Sequence, residues 1–279
     1  MNEKRNWKES IIEKWKLIYI IISLWVILAA IFGIFDLQIS ISLTNLNNIP
    51  GNLGIFFYNF GKFGADYGEG PAWGLIFVAL EILIGSYIND TKKQKIPIYF
   101  IASIFLVIFI IGIIINSEDL IWYGGFISFS ALIFLIISLH SNLKNYRNFA
   151  LIIVLLAIIN PLLFVNITKF LCGRVRFNDL APGYIGYTPW FLPPGPDPNN
   201  LSFPSGHTAM GWMLLPLLIL LKDKKNMLKI LGIILVFGWG IFVSISRIII
   251  GAHYASDVLF SSNVAFITTI FLYKKLFFK

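Results

Sequence analysis

The sequence is poor in the residues that build disulfides and metal sites. It contains one cysteine in 279 residues, so no disulfide can form within the chain and no cysteine-rich metal site is possible. Three histidines, His140, His207 and His253, are too few for a conventional zinc cluster, and no paired-carboxylate magnesium motif is present. These absences predict a protein that works without a metal or another cofactor.

Charged residues are also scarce. They make up 13% of the chain, whereas 57% of the residues are hydrophobic, which is more than a soluble globular domain carries. The composition therefore predicts an integral membrane protein. The net charge of +8 does not indicate a nucleic-acid surface, because most of the basic residues lie in the connections between apolar segments and at the chain ends. We expect membrane lipids as partners, and no nucleic acid.

Eight apolar segments approach the ~20 residues that a helix needs to cross a bilayer. They lie at about residues 17–35, 73–88, 96–115, 121–139, 150–168, 205–221, 229–249 and 253–273. The pattern predicts an all-α, polytopic bundle of about eight transmembrane helices. Because no small-residue cleavage site follows the first segment, we expect a retained span there rather than a signal peptide.

Basic residues are distributed unevenly between the connections. With a cytoplasmic N-terminus, alternation of the eight spans places 17 of the 22 basic residues on the cytoplasmic side, as the positive-inside rule predicts. The other five are Lys62, Lys169, Arg174, Arg176 and Arg247. All except Lys62 fall in polar blocks of the outer side. We therefore expect cytoplasmic termini and an extracytoplasmic functional site.

Two of these blocks have the chemistry of an anion site. In the first, Lys169 and Arg176 lie seven positions apart, which predicts that they share a helical face and reach one phosphate. In the second, Ser205, Gly206 and His207 precede an apolar run. Free backbone N–H groups at such a helix start suit an anion, and the histidine adds a titratable proton donor.

The third block, residues 246–257, contains Arg247, His253 and Asp257. The histidine and the aspartate are four positions apart, so the carboxylate can contact one imidazole nitrogen and leave the other free. An imidazole held in this way is suited to nucleophilic or acid–base chemistry.

In order and spacing, the three blocks resemble those of the type 2 phosphatidic acid phosphatase superfamily, which includes glucose-6-phosphatase and the vanadium haloperoxidases. The superfamily pattern is Lys-x6-Arg-Pro, then Pro-Ser-Gly-His, then Ser-Arg-x5-His-x3-Asp. The chain matches it from Lys169 to Asp257, with one departure: Phe177 stands where the family has proline.

The resemblance implies a six-helix phosphatase core and a role for each matched residue. His253 corresponds to the nucleophile that forms a phosphohistidine, Asp257 to the carboxylate that supports it, and His207 to the general acid. The phosphate-binding residues would be Lys169, Arg176, Ser205, Gly206 and Arg247. The resemblance gives Arg174 no catalytic role.

The sequence thus predicts a catalytic half at residues 150–279. Residues 1–149 would hold a cytoplasmic N-terminal segment, four spans and an outer interfacial connection at residues 36–71. We expect a metal-independent phosphatase of the plasma membrane. Its substrate would be a phosphate or diphosphate monoester of a lipid, of the polyprenyl diphosphate, phosphatidylglycerophosphate or phosphatidic acid type.

Two other interpretations stay open. A lipid phosphotransferase would use the same residues, and a non-catalytic lipid-binding or transport protein would use the blocks to hold a headgroup. A set of nucleophile, acid and supporting carboxylate favours catalysis, because binding alone needs only the cations.

Overall fold

The computed structural model describes residues 2–278, with side chains from Trp15 onwards, as a bundle of helices. The helices are α1 (Asn2–Thr44), α2 (Asn52–Tyr67), α3 (Gly70–Ser86), α4 (Ile96–Ile115), α5 (Glu118–Ser138), α6 (Arg147–Ala157), α7 (Asn166–Cys172), α8 (Gly206–Gly211), α9 (Leu217–Leu220), α10 (Asn226–Ile249) and α11 (Ala255–Phe277). A π-helix, Ile158–Val165, joins α6 to α7. Within the described residues, seven helical segments are long and apolar enough to cross a membrane. The predicted all-α, multi-pass architecture is confirmed.

The sixth predicted span differs from the expected single helix. It consists of α8, a 3₁₀ turn and α9, and the regular helix is interrupted before Pro216. Proline interrupts helices because it lacks the backbone N–H and its ring crowds the preceding turn. The segment still runs antiparallel to α10, since Trp212 packs against Gly240 and Leu221 packs against Gly232.

The predicted outer connection at residues 36–71 is largely helical. Helix α1 continues to Thr44, and α2 fills most of the remainder. Helix α2 packs antiparallel to the end of α10, with Gly64 against Ser246 and Gly61 further along the same face. The glycines of α2 therefore allow two helices to approach closely. Contact of this segment with the membrane interface stays a prediction.

The main core lies between α3, α6, α10, α11 and the interrupted α8–α9 segment. Ile82, Ile153, Leu156 and Met213 are fully buried in it. Helices α4 and α5 form a hairpin that packs on α3, and α1 packs along α11. The hairpin therefore lies at the edge of the bundle, whereas α3 is part of its centre.

The two ends of the bundle carry different side chains. At one end, Lys95 Nζ donates to Ser141 O at 2.5 Å, and Arg147 Nη2 donates to Tyr87 Oη at 2.8 Å. Helix α3 leads away from this end, and its other terminus follows Glu69, beside the predicted site. The orientation of the two ends across the membrane stays a prediction.

Candidate active site

The three polar blocks meet at one end of the bundle. The backbone N–H of Ser205 donates to the carbonyl of Asp257 at 3.1 Å, which joins the start of α8 to the first turn of α11. A Cβ atom placed on Gly206 would lie 3.7 Å from Nζ of Lys169, which joins the start of α8 to α7. Residues separated by almost ninety positions in sequence therefore form one cluster.

His253 lies in the short connection between α10 and α11. The chain reverses at Gly251, which has a φ of +67°, and the N–H of His253 then donates to the carbonyl of Arg247 at 3.2 Å. The side chain of His253 is almost completely buried, and Nδ1 lies 3.4 Å from Oδ2 of Asp257. Burial lowers the pKa of His253 to about 4, although the Asp257 carboxylate opposes this shift. The imidazole is therefore neutral near pH 7, as a nitrogen nucleophile must be.

The contact between His253 and Asp257 is looser than the sequence spacing suggested. Nδ1 of His253 lies beyond normal hydrogen-bond geometry among the described residues, and Oδ2 of Asp257 accepts from other donors. These are Oγ of Ser202 at 2.6 Å and the backbone N–H of Tyr254 at 2.9 Å. The carboxylate is thus held in place by the chain, and it acts on His253 through its charge at short range.

Arg174 is a residue of the site that the sequence analysis left without a role. Its side chain is only 1% exposed, and it lies between two carboxylates. Nη1 donates to Oδ1 of Asp257 at 2.6 Å, and Nη2 donates to Oδ2 of Asp36 at 2.9 Å. The guanidinium also lies over the ring of Tyr254, 3.9 Å from its centroid. Arg174 therefore fixes the carboxylate that faces His253.

Lys169 and Arg176 do not share a helical face, so that prediction was wrong. Helix α7 ends at Cys172, where Gly173 adopts the left-handed conformation, and Arg176 lies in the extended segment that follows. The two side chains nevertheless interact electrostatically, because the chain folds back after the helix. Both are partly exposed.

Arg247 completes a group of three cations. It lies in the last turn of α10, is 7% exposed, and interacts electrostatically with Arg176 and Lys169. Its Nε has no hydrogen-bond partner among the described residues. Three neighbouring positive charges repel one another, and an anion such as phosphate relieves that repulsion.

His207 lies in the first turn of α8 and is more open than His253, with 32% of its side chain exposed. Its Nδ1 lies 3.3 Å from Oε1 of Glu69, a carboxylate between α2 and α3. The site therefore contains two histidine–carboxylate pairs. Only the pair formed by His253 and Asp257 was predicted from the sequence.

Ser205 has a structural contact of its own. The residue is buried, and Oγ accepts from the N–H of Thr208 at 3.3 Å, as an N-cap does. Gly206 is partly exposed beside Lys169. Direct phosphate contacts of Ser205 and Gly206 stay predictions.

A comparison with known families bears on this arrangement. Residues 150–279 match the family model of the PAP2 superfamily. The match covers a little under half of the chain and supports its membership of the PAP2 superfamily. Members of this superfamily are phosphatases, which supports a phosphoester hydrolase that acts on lipid phosphates in a membrane. No curated protein matches the chain, and no solved structure matches it.

The PAP2 range contains all the site residues that the sequence predicted, but it does not contain Asp36 and Glu69. These two carboxylates come from α1 and from the junction of α2 and α3. No local motif surrounds either residue. Arg174 was partly detectable from the sequence, because it is one of the five basic residues that lie outside the predicted cytoplasmic connections.

The connection from residue 177 to residue 203 holds the PAP2 blocks together. The backbone N–H of Asn178 donates to Gly251 O at 3.1 Å, and Nε1 of Trp190 donates to Ala29 O at 2.9 Å. Phe177, at the position of the family proline, packs its ring against Tyr254. These contacts at its start and in its middle tie the connection to α1 and to the turn between α10 and α11.

Proposed function

We propose that the protein is a lipid phosphate phosphatase that works through a phosphohistidine on His253, without a metal, at the extracytoplasmic face of the plasma membrane. The observation that carries the proposal is the meeting of the neutral His253, the partly exposed His207 and three cations at one end of the bundle. The supporting charges are Asp257 beside His253 and Glu69 beside His207.

In the first step, Nε2 of His253 attacks phosphorus. The N–P bond forms as the P–O bond to the lipid breaks, and His207 gives its proton to the departing oxygen. The fixed carboxylate of Asp257 stabilises the positive charge that develops on His253. Lys169, Arg176 and Arg247 neutralise the non-bridging oxygens of the phosphoryl group.

In the second step, the neutral His207 takes a proton from water as the water oxygen attacks phosphorus. The N–P bond breaks, inorganic phosphate leaves, and both histidines return to their starting states. The cations thus supply the charge neutralisation that metal ions supply in other phosphatases.

The substrate is proposed to be a phosphate or diphosphate monoester of a membrane lipid. The outward site is inferred from the distribution of basic residues, since four of the five outside the cytoplasmic pattern lie in or beside the cluster. A polyprenyl diphosphate, a phosphatidylglycerophosphate and a phosphatidic acid all present the group that the three cations suit.

The test is phosphate release from these three lipids by the detergent-purified protein in the presence of a chelator. We expect activity that survives the chelator and is inhibited by vanadate, a mimic of five-coordinate phosphorus. The variant His253→Ala should lose several orders of magnitude in kcat, whereas His140→Ala, outside the cluster, should keep wild-type activity. Labelled substrate should leave label on His253.

Other results would contradict the proposal in distinct ways. Activity only with added magnesium would exclude the metal-free scheme. Label that passes to an added lipid alcohol in preference to water would identify a phosphotransferase. Tight binding of lipid phosphates without turnover would identify a binding or transport protein.

A further inference from the structure

The contact between His207 and Glu69 joins the two halves of the chain. Glu69 lies between α2 and α3, and its Oε1 is 3.3 Å from Nδ1 of His207. The carboxylate is 22% exposed and the imidazole 32% exposed, so both line an open part of the cluster. His207 also contacts the backbone of Ala65, one helical turn before Glu69. The imidazole thus rests against the end of α2.

Burial disfavours the protonated form of His207, and its other neighbours add to this effect. Arg247 and Lys169 are cations, and His253 becomes one when it is protonated. A histidine that donates a proton to a leaving group must hold that proton among these charges. Glu69 is the carboxylate that lies within ion-pair distance of His207 in the described structure.

Nδ1 of His207 faces Glu69, so proton transfer to a substrate is assigned to Nε2, on the opposite side of the ring. A carboxylate on one imidazole nitrogen fixes the tautomer and the ring orientation and stabilises the imidazolium.

The position of Glu69 is set by helix packing outside the PAP2 range. Gly64 of α2 packs directly against Ser246 of α10, which is the residue before Arg247. The end of α2 is therefore tied to the helix that supplies one of the three cations.

We propose that Glu69 is a positioning residue for His207: it orients the imidazole and stabilises the protonated form that transfers a proton to the leaving oxygen. The inference rests on the proposed function and adds to it a residue from the N-terminal half. The proton moves from Nε2 of His207 to the departing oxygen as the P–O bond breaks, and Glu69 keeps its own charge throughout.

The test compares two substrates with Glu69→Gln, which keeps the size of the side chain and removes its charge. A long-chain alkyl phosphate has a strongly basic leaving oxygen that needs a proton, whereas the p-nitrophenolate of p-nitrophenyl phosphate leaves without one. We expect kcat for the alkyl phosphate to fall roughly 10- to 100-fold, which is part of the ~10²–10⁴-fold that a general acid contributes. The KM for the alkyl phosphate and kcat for p-nitrophenyl phosphate should change little.

Both rates are measured on one preparation, so the fraction of folded protein cancels from their ratio. Glu118→Gln is the matched control, because Glu118 is an exposed carboxylate at the same end of the bundle, beside Tyr67. It should leave the ratio unchanged. A second variant, Glu69→Asp, keeps the charge and should recover part of the ratio.

The double variant His207→Ala with Glu69→Gln gives an independent measurement. If Glu69 acts through His207, its substitution has no further effect once His207 is absent. Equal losses for both substrates, an unchanged ratio, or additive losses in the double variant would overturn the role of Glu69. If the proposed function itself is wrong, His253→Ala will retain wild-type phosphate release. That result distinguishes failure of the proposed function from failure of the role of Glu69.

Discussion

Removal of Arg174 tests whether the buried charges behind His253 act as one unit. In Arg174→Met, the side chain remains long and apolar, but Asp36 and Asp257 lose their shared cation. Both carboxylates are fully buried, and each accepts a hydrogen bond from the guanidinium, at 2.9 Å and 2.6 Å. The variant therefore leaves two negative charges facing the same uncharged side chain.

The magnitude follows from these contacts. A hydrogen bond to a charged group contributes about 1.5–3 kcal/mol, and Arg174 makes two of them to carboxylates. Loss of one partner of a buried ion pair costs about 3–5 kcal/mol. We expect Arg174→Met to lose a similar amount of stability. At roughly 2–4 °C per kcal/mol, the Tm in detergent should fall by roughly 10 °C.

A second substitution gives the sharper result. Asp36→Asn in the wild-type background removes a charge-assisted hydrogen bond and should lower the Tm. In the Arg174→Met background it removes one of two uncompensated charges and should raise the Tm. The coupling between the two sites should be about 2 kcal/mol, within the range of interacting pairs.

The assay is thermal unfolding of the four proteins in one detergent at a fixed scan rate, because membrane proteins often unfold irreversibly. Gln94→Glu, at the far end of the bundle, is a control for adding a buried charge elsewhere. An equal drop in Tm on Asp36→Asn in both backgrounds would show that Arg174 and Asp36 act independently. The reasoning about a shared charge network would then be wrong.

Two further predictions concern His253 and the packing of α2. Because the pKa of His253 lies at about 4, its loss of nucleophilicity should occur near pH 4 and not near pH 6.5. The kcat/KM profile, corrected for the second protonation of the substrate phosphate near pH ~6, checks this, and an acid limb at the ordinary histidine pKa contradicts it. The unfolded histidine takes up a proton below about 6.5 while the folded one does so only near 4. Stability should therefore fall as the pH drops through that window, and His253→Gln should reduce the fall. Gly64→Ala places a methyl group against Ser246 and should cost about 1–3 kcal/mol, whereas Gly238→Ala, with open space around it, should be neutral or slightly stabilising. Equal unfolding temperatures for these two variants would contradict the close contact of α2 with α10.

Several features of this protein can be predicted from short stretches of its sequence. Apolar runs of membrane length predicted the helices, and the spacing within the third polar block predicted the pair of His253 and Asp257. Such features can be read from sequence because hydropathy and motif spacing depend on residues close together in the chain. The interruption before Pro216 and the end of α7 before Gly173 also have local causes. Proline lacks a backbone N–H, and glycine readily adopts the left-handed conformation, so each ends a helix that was expected to continue.

The tertiary structure alone decided which distant charges meet. Arg174 and Asp36 are 138 positions apart, and Glu69 reaches His207 from the other half of the chain. The spans are apolar on most sides, because lipid and the protein core both favour apolar side chains, so their periodicity does not mark the faces that pack together. A buried carboxylate in a membrane needs a partner, but only the packing of α1 and α2 against α10 and α11 determines which cation or histidine that partner is.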